Sequence, residues 1–115
     1  MLRSRKRVPL DYSLCRMTVT VYRRADGSRH ILNNVHYEFT DERTVVKGQA
    51  VRSRSFLLVI PGGWDIAPGD KVVLGEGPAD CSWQQLKGAI PTLGVVVSVK
   101  PRYLNGQLCH MEARG

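Results

Sequence analysis

Long apolar runs are missing from this chain. No stretch approaches the ~20 consecutive apolar residues that a membrane-spanning helix needs, and the basic N-terminus lacks the apolar region of a signal peptide. The expectation is an unprocessed, soluble chain with no membrane partner. Cysteine is scarce: Cys15, Cys81 and Cys109 are an odd number, widely spaced, with no C-x-x-C pair. That argues against a disulfide framework or a zinc site and fits reduced thiols in a cytoplasmic setting. His30, His36 and His110 have no ligand-like spacing, so neither a metal nor a cofactor is expected.

Catalytic motifs are lacking as well. The sequence contains no G-x-S-x-G elbow, phosphate-binding loop, H-E-x-x-H or dinucleotide fingerprint. Gly62-Gly63 and Gly75-Glu76-Gly77 are glycine-rich only as turns are, with no helix indicated directly after them to cradle a phosphate. Asp65 and Asp70 sit at turn positions, where aspartate bonds its own backbone. The histidines fall on expected strands, where they are more often fillers than bases. No acid, base and nucleophile converge, so an enzyme is not expected. Internal repeats and low-complexity blocks are also absent.

What is there suits one small domain. The chain has 115 residues, 43% hydrophobic and 23% charged, ordinary globular usage with room for one core. Its net charge is +7, and Arg3, Arg5, Lys6 and Arg7 supply four of those charges, leaving three for the rest. The basic signal is therefore mostly a tail. Residues 1–16 read as a flexible arm, ordered by a partner or in direct contact with phosphate, ahead of a single domain over 17–115.

The centre of that domain is Val51–Gly75. Phe56-Leu57-Leu58-Val59-Ile60 is too short for a free-standing helix and suits a buried strand. Pro61, Gly62 and Gly63 end it; Pro68-Gly69-Asp70 makes a corner, and Lys71–Leu74 restarts an extended segment. Upstream, Met17–Tyr22 alternates and reads as a half-buried strand with Met17, Val19 and Val21 inward. Asp26-Gly27 turns the chain into a strand from Arg29 to Phe39, with Ile31, Val35, Tyr37 and Phe39 inward and a bulge or corner at Asn33-Asn34.

Thr40–Arg54 carries Asp41, Glu42, Arg43, Lys47, Arg52 and Arg54 and is the least core-like interior segment. It reads as a long exposed loop or protruding hairpin, either plainly solvated or functional. Downstream, Ser82 and Gln85 suit a capping box before a short helix through Leu86–Ala89. Leu93–Val99 is a β-branched strand, Asn105-Gly106 a hairpin turn, and Cys109, Met111 and Ala113 lie on the last strand. Trp64 and Trp83 are either base-stacking platforms or plugs for the ends of a small barrel; the size of the domain favours plugs.

MTVTVYRR, a turn, a strand ending near VHYEF, a polar stretch, LLVIP and then Ile66–Val73 (IAPGDKVV) together resemble the small head–tail connector proteins of tailed phages. The head-completion, stopper and minor capsid neck types are the nearest in pattern. SWQQLKGAIP, LGVVVSVK and NGQLCHMEARG occupy the places of the following helix and closing hairpin, so the resemblance covers roughly residues 17–115. It implies a mainly β fold, a small antiparallel β-barrel of SH3 or OB size with a long loop after the second strand and one short helix. It also implies an oligomeric ring in the virion neck, assembled in the host cytoplasm. Portal or adaptor proteins, tail-completion proteins and packaged double-stranded DNA would be its partners.

On that pattern Thr40–Arg54 is the loop that enters the DNA channel and helps close it. Arg43, Lys47, Arg52 and Arg54 would face the duplex, and Met1–Arg7 would reach a neighbouring subunit or the adaptor. Met17–Tyr22 would offer an open edge for docking, and a head-to-tail ring contact would be heterologous. The basic arm before Met17 departs from the family pattern. The alternative is a small nucleic-acid-binding barrel that uses the basic arm and an exposed Trp64 or Trp83.

Overall fold

The computed structural model describes residues 12–86 and 90–115. Seven strands form one antiparallel sheet: β1 (Met17–Tyr22), β2 (Arg29–Val46), β3 (Gln49–Pro61), β4 (Lys71–Leu74), β5 (Gly94–Val95), β6 (Ser98–Leu104) and β7 (Gln107–Arg114). Their order across the sheet is β5-β4-β1-β2-β3-β7-β6. The mainly β, antiparallel expectation holds.

The closed barrel does not. The sheet ends in β5 on one side and β6 on the other, and no ladder joins them. LGVVVSV is not one strand but breaks between those two. Val96 accepts from Gly69 and donates to Asp70, while Val97 donates to Arg114. One short segment thus touches both ends of the sheet, but a two-residue β5 offers too few bonds to complete the wall.

The core lies inside the curl of this sheet. Val19 and Val21 (β1), Val35 and Tyr37 (β2), and Leu58 and Ile60 (β3) meet there with Val72, Val96 and Ala113. Burying each large aliphatic side chain stabilises by about 1.5–3 kcal/mol. Gly94 is needed at its place, because a Cβ there would run into the Phe56 ring. β1 is not the open edge expected of Met17–Tyr22. It pairs with β2 on one side and β4 on the other. It is not half-buried either: Thr20 and Tyr22 are as inaccessible as Val19 and Val21. Tyr22 packs on its far face with Val73 and Leu86, beside Trp83.

The Asn33-Asn34 irregularity is a bulge. Met17 pairs with Val35 but Val19 with Leu32, so three steps of β2 oppose two of β1, and Asn34 takes φ 59°. One extra residue inverts which side chains face inward. That is why Leu32 packs against the core while Ile31, expected inside, is 38% exposed.

The Pro68-Gly69-Asp70 corner is held by Asp70, whose carboxylate accepts from the amides of Arg24 and Ala67. At the expected capping box the chain makes one 3-10 turn, Trp83–Gln85, with the Gln85 side chain accepting from the Ser82 amide, and the helix expected through Leu86–Ala89 does not start at Leu86. Leu86 already has extended backbone angles, and residues 87–89 lie outside the described residues. Asn105-Gly106 turns β6 into β7 with φ 52° and 78°, as two-residue hairpins require.

Candidate functional site: a protruding two-stranded ribbon

The segment Thr40–Arg54 is not a loop. β2 runs unbroken to Val46, β3 starts at Gln49, and the ladder between them continues from His36↔Val59 to Val46↔Gln49. Lys47 and Gly48 form the turn with φ 51° and 79°. A two-residue connection needs positive φ at both places, which glycine adopts without steric penalty. Of the two readings the sequence allows for this segment, the protruding hairpin is the one that holds; its turn is hard to place because the pair is Lys-Gly rather than Asn-Gly. The available signal was the run of β-branched residues on both flanks, Thr44-Val45-Val46 and Val51.

Every residue from Thr40 to Ser55 is exposed. Seven ladder pairs, Thr40↔Ser55 out to Val46↔Gln49, stand clear of the core. At ~3.4 Å per residue the ribbon projects about 24 Å. Val45 is 75% exposed, so no hydrophobic packing holds this part of the chain.

Alternation sorts the ribbon into two faces. Phe39 and Phe56 point to the core, so Asp41, Arg43 and Val45 on β2 and Ala50, Arg52 and Arg54 on β3 continue that face. The other face carries Thr40, Glu42, Thr44, Val46, Val51 and Ser53. Arg43, Arg52 and Arg54 therefore share one side, with Lys47 at the tip.

Their electrostatic states differ. Arg52 grips Asp41 with two bonds, Nε to Oδ1 at 2.9 Å and a terminal nitrogen to Oδ2 at 2.7 Å. Hydrogen bonding from Arg52 holds the Asp41 carboxyl below the usual range. Arg54 stacks over the Phe39 ring at 5.2 Å and donates to the Pro91 carbonyl, which ties the base of the ribbon to the body. Among the described residues neither Arg43 nor Lys47 makes a hydrogen bond or ion pair, though the Arg43 charge also helps hold Asp41 ionised. With four cations against Asp41 and Glu42, the ribbon is +2.

The arm residues Arg3, Arg5, Lys6 and Arg7 lie outside the described residues. Tyr12–Arg16, also assigned to the arm, are described, and Tyr12 is pinned to the body. Its hydroxyl is 2.7 Å from His110 Nδ1, and His110 Nε2 is 2.9 Å from Glu112. With Nε2 protonated and donating to Glu112, Nδ1 accepts the tyrosine hydroxyl. Glu112 also accepts from Arg102 at 3.1 Å. The hydrogen bond from His110 holds Glu112 below the ordinary carboxylate value, with Arg102 adding to it against burial. His110 is 6% exposed. Such a chain can pass a proton, but its placement makes it a clasp between the segment before β1 and strand β7. The filler role that the sequence suggests for His110 is thus too plain; the H-x-E alternation, which puts His110 and Glu112 on one strand face, is the signal that points to the pair.

The tryptophans are half-buried. Trp83 donates to the Gly69 carbonyl at 2.7 Å, and the Lys71 ammonium sits 4.1 Å from its ring centre. Trp64 packs on the core, with His30 edge-on at 5.3 Å and Arg23 at 5.8 Å. No disulfide joins Cys15, Cys81 and Cys109. Among the described residues no helix is long and apolar enough to cross a membrane. No family model, curated protein or solved structure matches the chain.

Proposed function

We propose that this chain is a non-enzymatic, ring-forming neck protein of a tailed phage, standing between portal or adaptor and tail and contributing to the DNA channel and its closure. The ribbon is the observation that carries this reading. A sheet with its own core extends one hairpin about 24 Å beyond anything that core needs, with three arginines on one face. Arg43 and Lys47, near the tip and held by no hydrogen bond or ion pair among the described residues, supply sequence-independent attraction to duplex phosphates. A non-specific channel contact needs no base readout, and no aromatic side chain lies between Thr40 and Ser55 to stack on bases. The ring partners are further copies of the chain, and the basic arm Met1–Arg7 is available to an adaptor or neighbouring subunit.

The test combines native mass with DNA binding. The full chain should assemble as its concentration rises and bind a random-sequence duplex with affinity falling steeply with salt. Arg43→Glu with Lys47→Glu should remove most of that binding. A chain that stays single at all concentrations and binds duplex equally well with both cations reversed would end the reading. The competing nucleic-acid module predicts the opposite pattern, with binding lost on changing Trp64 or Trp83 and kept on reversing the ribbon cations.

A further inference from the structure

We infer that the ribbons of neighbouring copies pair edge to edge, β2 of one chain against β3 of the next. This deepens the ring reading above and rests on it. Among the described residues, nothing pairs with the outer backbone of the ribbon on either side. Phe56 both donates to and accepts from Gly115, at 3.0 and 3.3 Å, so its polar groups point away from β2. Antiparallel alternation then turns the backbone N–H and C=O of Arg54, Arg52 and Ala50 outward on that side. On the opposite edge the same alternation exposes Phe39, Asp41, Arg43 and Val45. Tyr37, next in that series toward the body, gives its amide to the Met17 sulfur at 3.4 Å, which agrees with the parity. The β1 ladder stops at Val35 and the β7 ladder at Leu57. From there to the tip neither edge has a strand partner among the described residues, a condition natural sheets otherwise blunt or cover.

Charge selects the occupant. From Glu38 to Val46, β2 carries three carboxylates against Arg43; from Gln49 to Ser55, β3 carries only Arg52 and Arg54. Two-fold pairing of β3 with itself sets arginine near arginine wherever those residues overlap. Two-fold pairing of β2 centred on residue 41, 42 or 43 sets Asp41, Glu42 or Arg43 against its own copy. Like charges directly opposite are destabilising. Pairing β2 with the next chain's β3 avoids this. With Asp41 opposite Arg52, Arg43 falls opposite Ala50 and Phe39 opposite Arg54. Such a contact is heterologous, and its repetition makes a closed ring or an open filament. It also lines up every arginine face on one side of the shared wall.

Two proline variants of the full-length chain test this, each removing one outward amide without touching the β2–β3 ladder: Ala50→Pro on the β3 edge and Arg43→Pro on the β2 edge. Sedimentation should show the natural chain growing in mass with concentration and each variant alone losing every species above one chain. An equal mixture should give pairs and nothing larger, since one good edge of each kind remains. A variant that still pairs with itself would overturn the head-to-tail arrangement. Variants that assemble as the natural chain does would overturn the edge contact while leaving the ring reading standing. A natural chain that never associates would remove both. Should a proline unravel the ribbon, amide exchange in the natural chain decides. Protection at Arg52 and Arg54 should appear as concentration rises, and fast exchange there in an assembled sample would refute the pairing.

Discussion

From Val35 to Phe39, strand β2 alternates between buried or half-buried and more exposed positions. From Thr40 to Val46 the same strand is exposed at every position. β3 mirrors this, exposed through Ser55 and then buried at Phe56, Leu58 and Ile60. One continuous ladder therefore crosses from a region held by core packing to a region held by backbone bonds, an ion pair and a tight turn. The core lies wholly in the first region. The second touches the body only at its base, where Arg54 meets Phe39 and Pro91.

Truncation should separate the two most sharply. Leu58→Ala removes a fully buried side chain and should cost about 2–5 kcal/mol in denaturant unfolding. Val45→Ala in the ribbon should stay within about 0.5 kcal/mol. Equal losses at the two sites would mean that the ribbon is part of the cooperative core.

Next in size is the Tyr12–His110–Glu112 clasp. Glu112→Gln keeps one oxygen to accept from His110 but removes the charge, and should destabilise by about 0.5–1.5 kcal/mol at neutral pH, the range for one hydrogen bond. The sign with pH follows from the carboxyl being held below its ordinary value of 4.5. The folded state then binds that proton less readily than the unfolded chain does. Its contribution is complete above the ordinary value and drains as pH falls through the lower folded one. In Glu112→Gln that part of the acid slope should vanish in melting curves taken across the acid range. An unchanged slope would show that the clasp does not couple to folding.

The smallest effect belongs to the ribbon alone. Asp41→Asn releases Arg52 and takes the ribbon from +2 to +3, counting Glu42 as the one remaining carboxylate. Duplex binding should tighten and its salt dependence should steepen by about one phosphate contact. Weaker binding would mean that the Asp41–Arg52 pair positions the arginine for contact.

Sequence carried the body well and the ribbon poorly, for a reason visible in particular residues. Val19, Val21, Leu58 and Ile60 are periodic because a core selects them, and Asn105-Gly106 is a turn wherever it stands. Positions 40–55 face water on both sides, so nothing enforces alternation, and Lys47-Gly48 is a weaker turn signal than Asn-Gly. A strand without a buried face therefore reads as a loop or a protruding hairpin, with nothing local to choose between them. Charge and exposure were legible there, since they are local; pairing was not. Nor could composition show that Asp41 neutralises Arg52 or that Arg54 leans on Phe39, because those contacts depend on the register of the hairpin. The unclosed sheet was hidden for a similar reason: LGVVVSV has the make-up of one strand, and only its two sets of partners divide it.

Replacing residues 41–54 by Asn-Gly, which joins Thr40 to Ser55 through a two-residue turn, tests the division of labour most directly. Native mass measured at concentrations where the full chain assembles should show a single, folded chain with its melting temperature little changed. Assembly as complete as that of the full chain would contradict the account, as would a shortened chain that no longer folds.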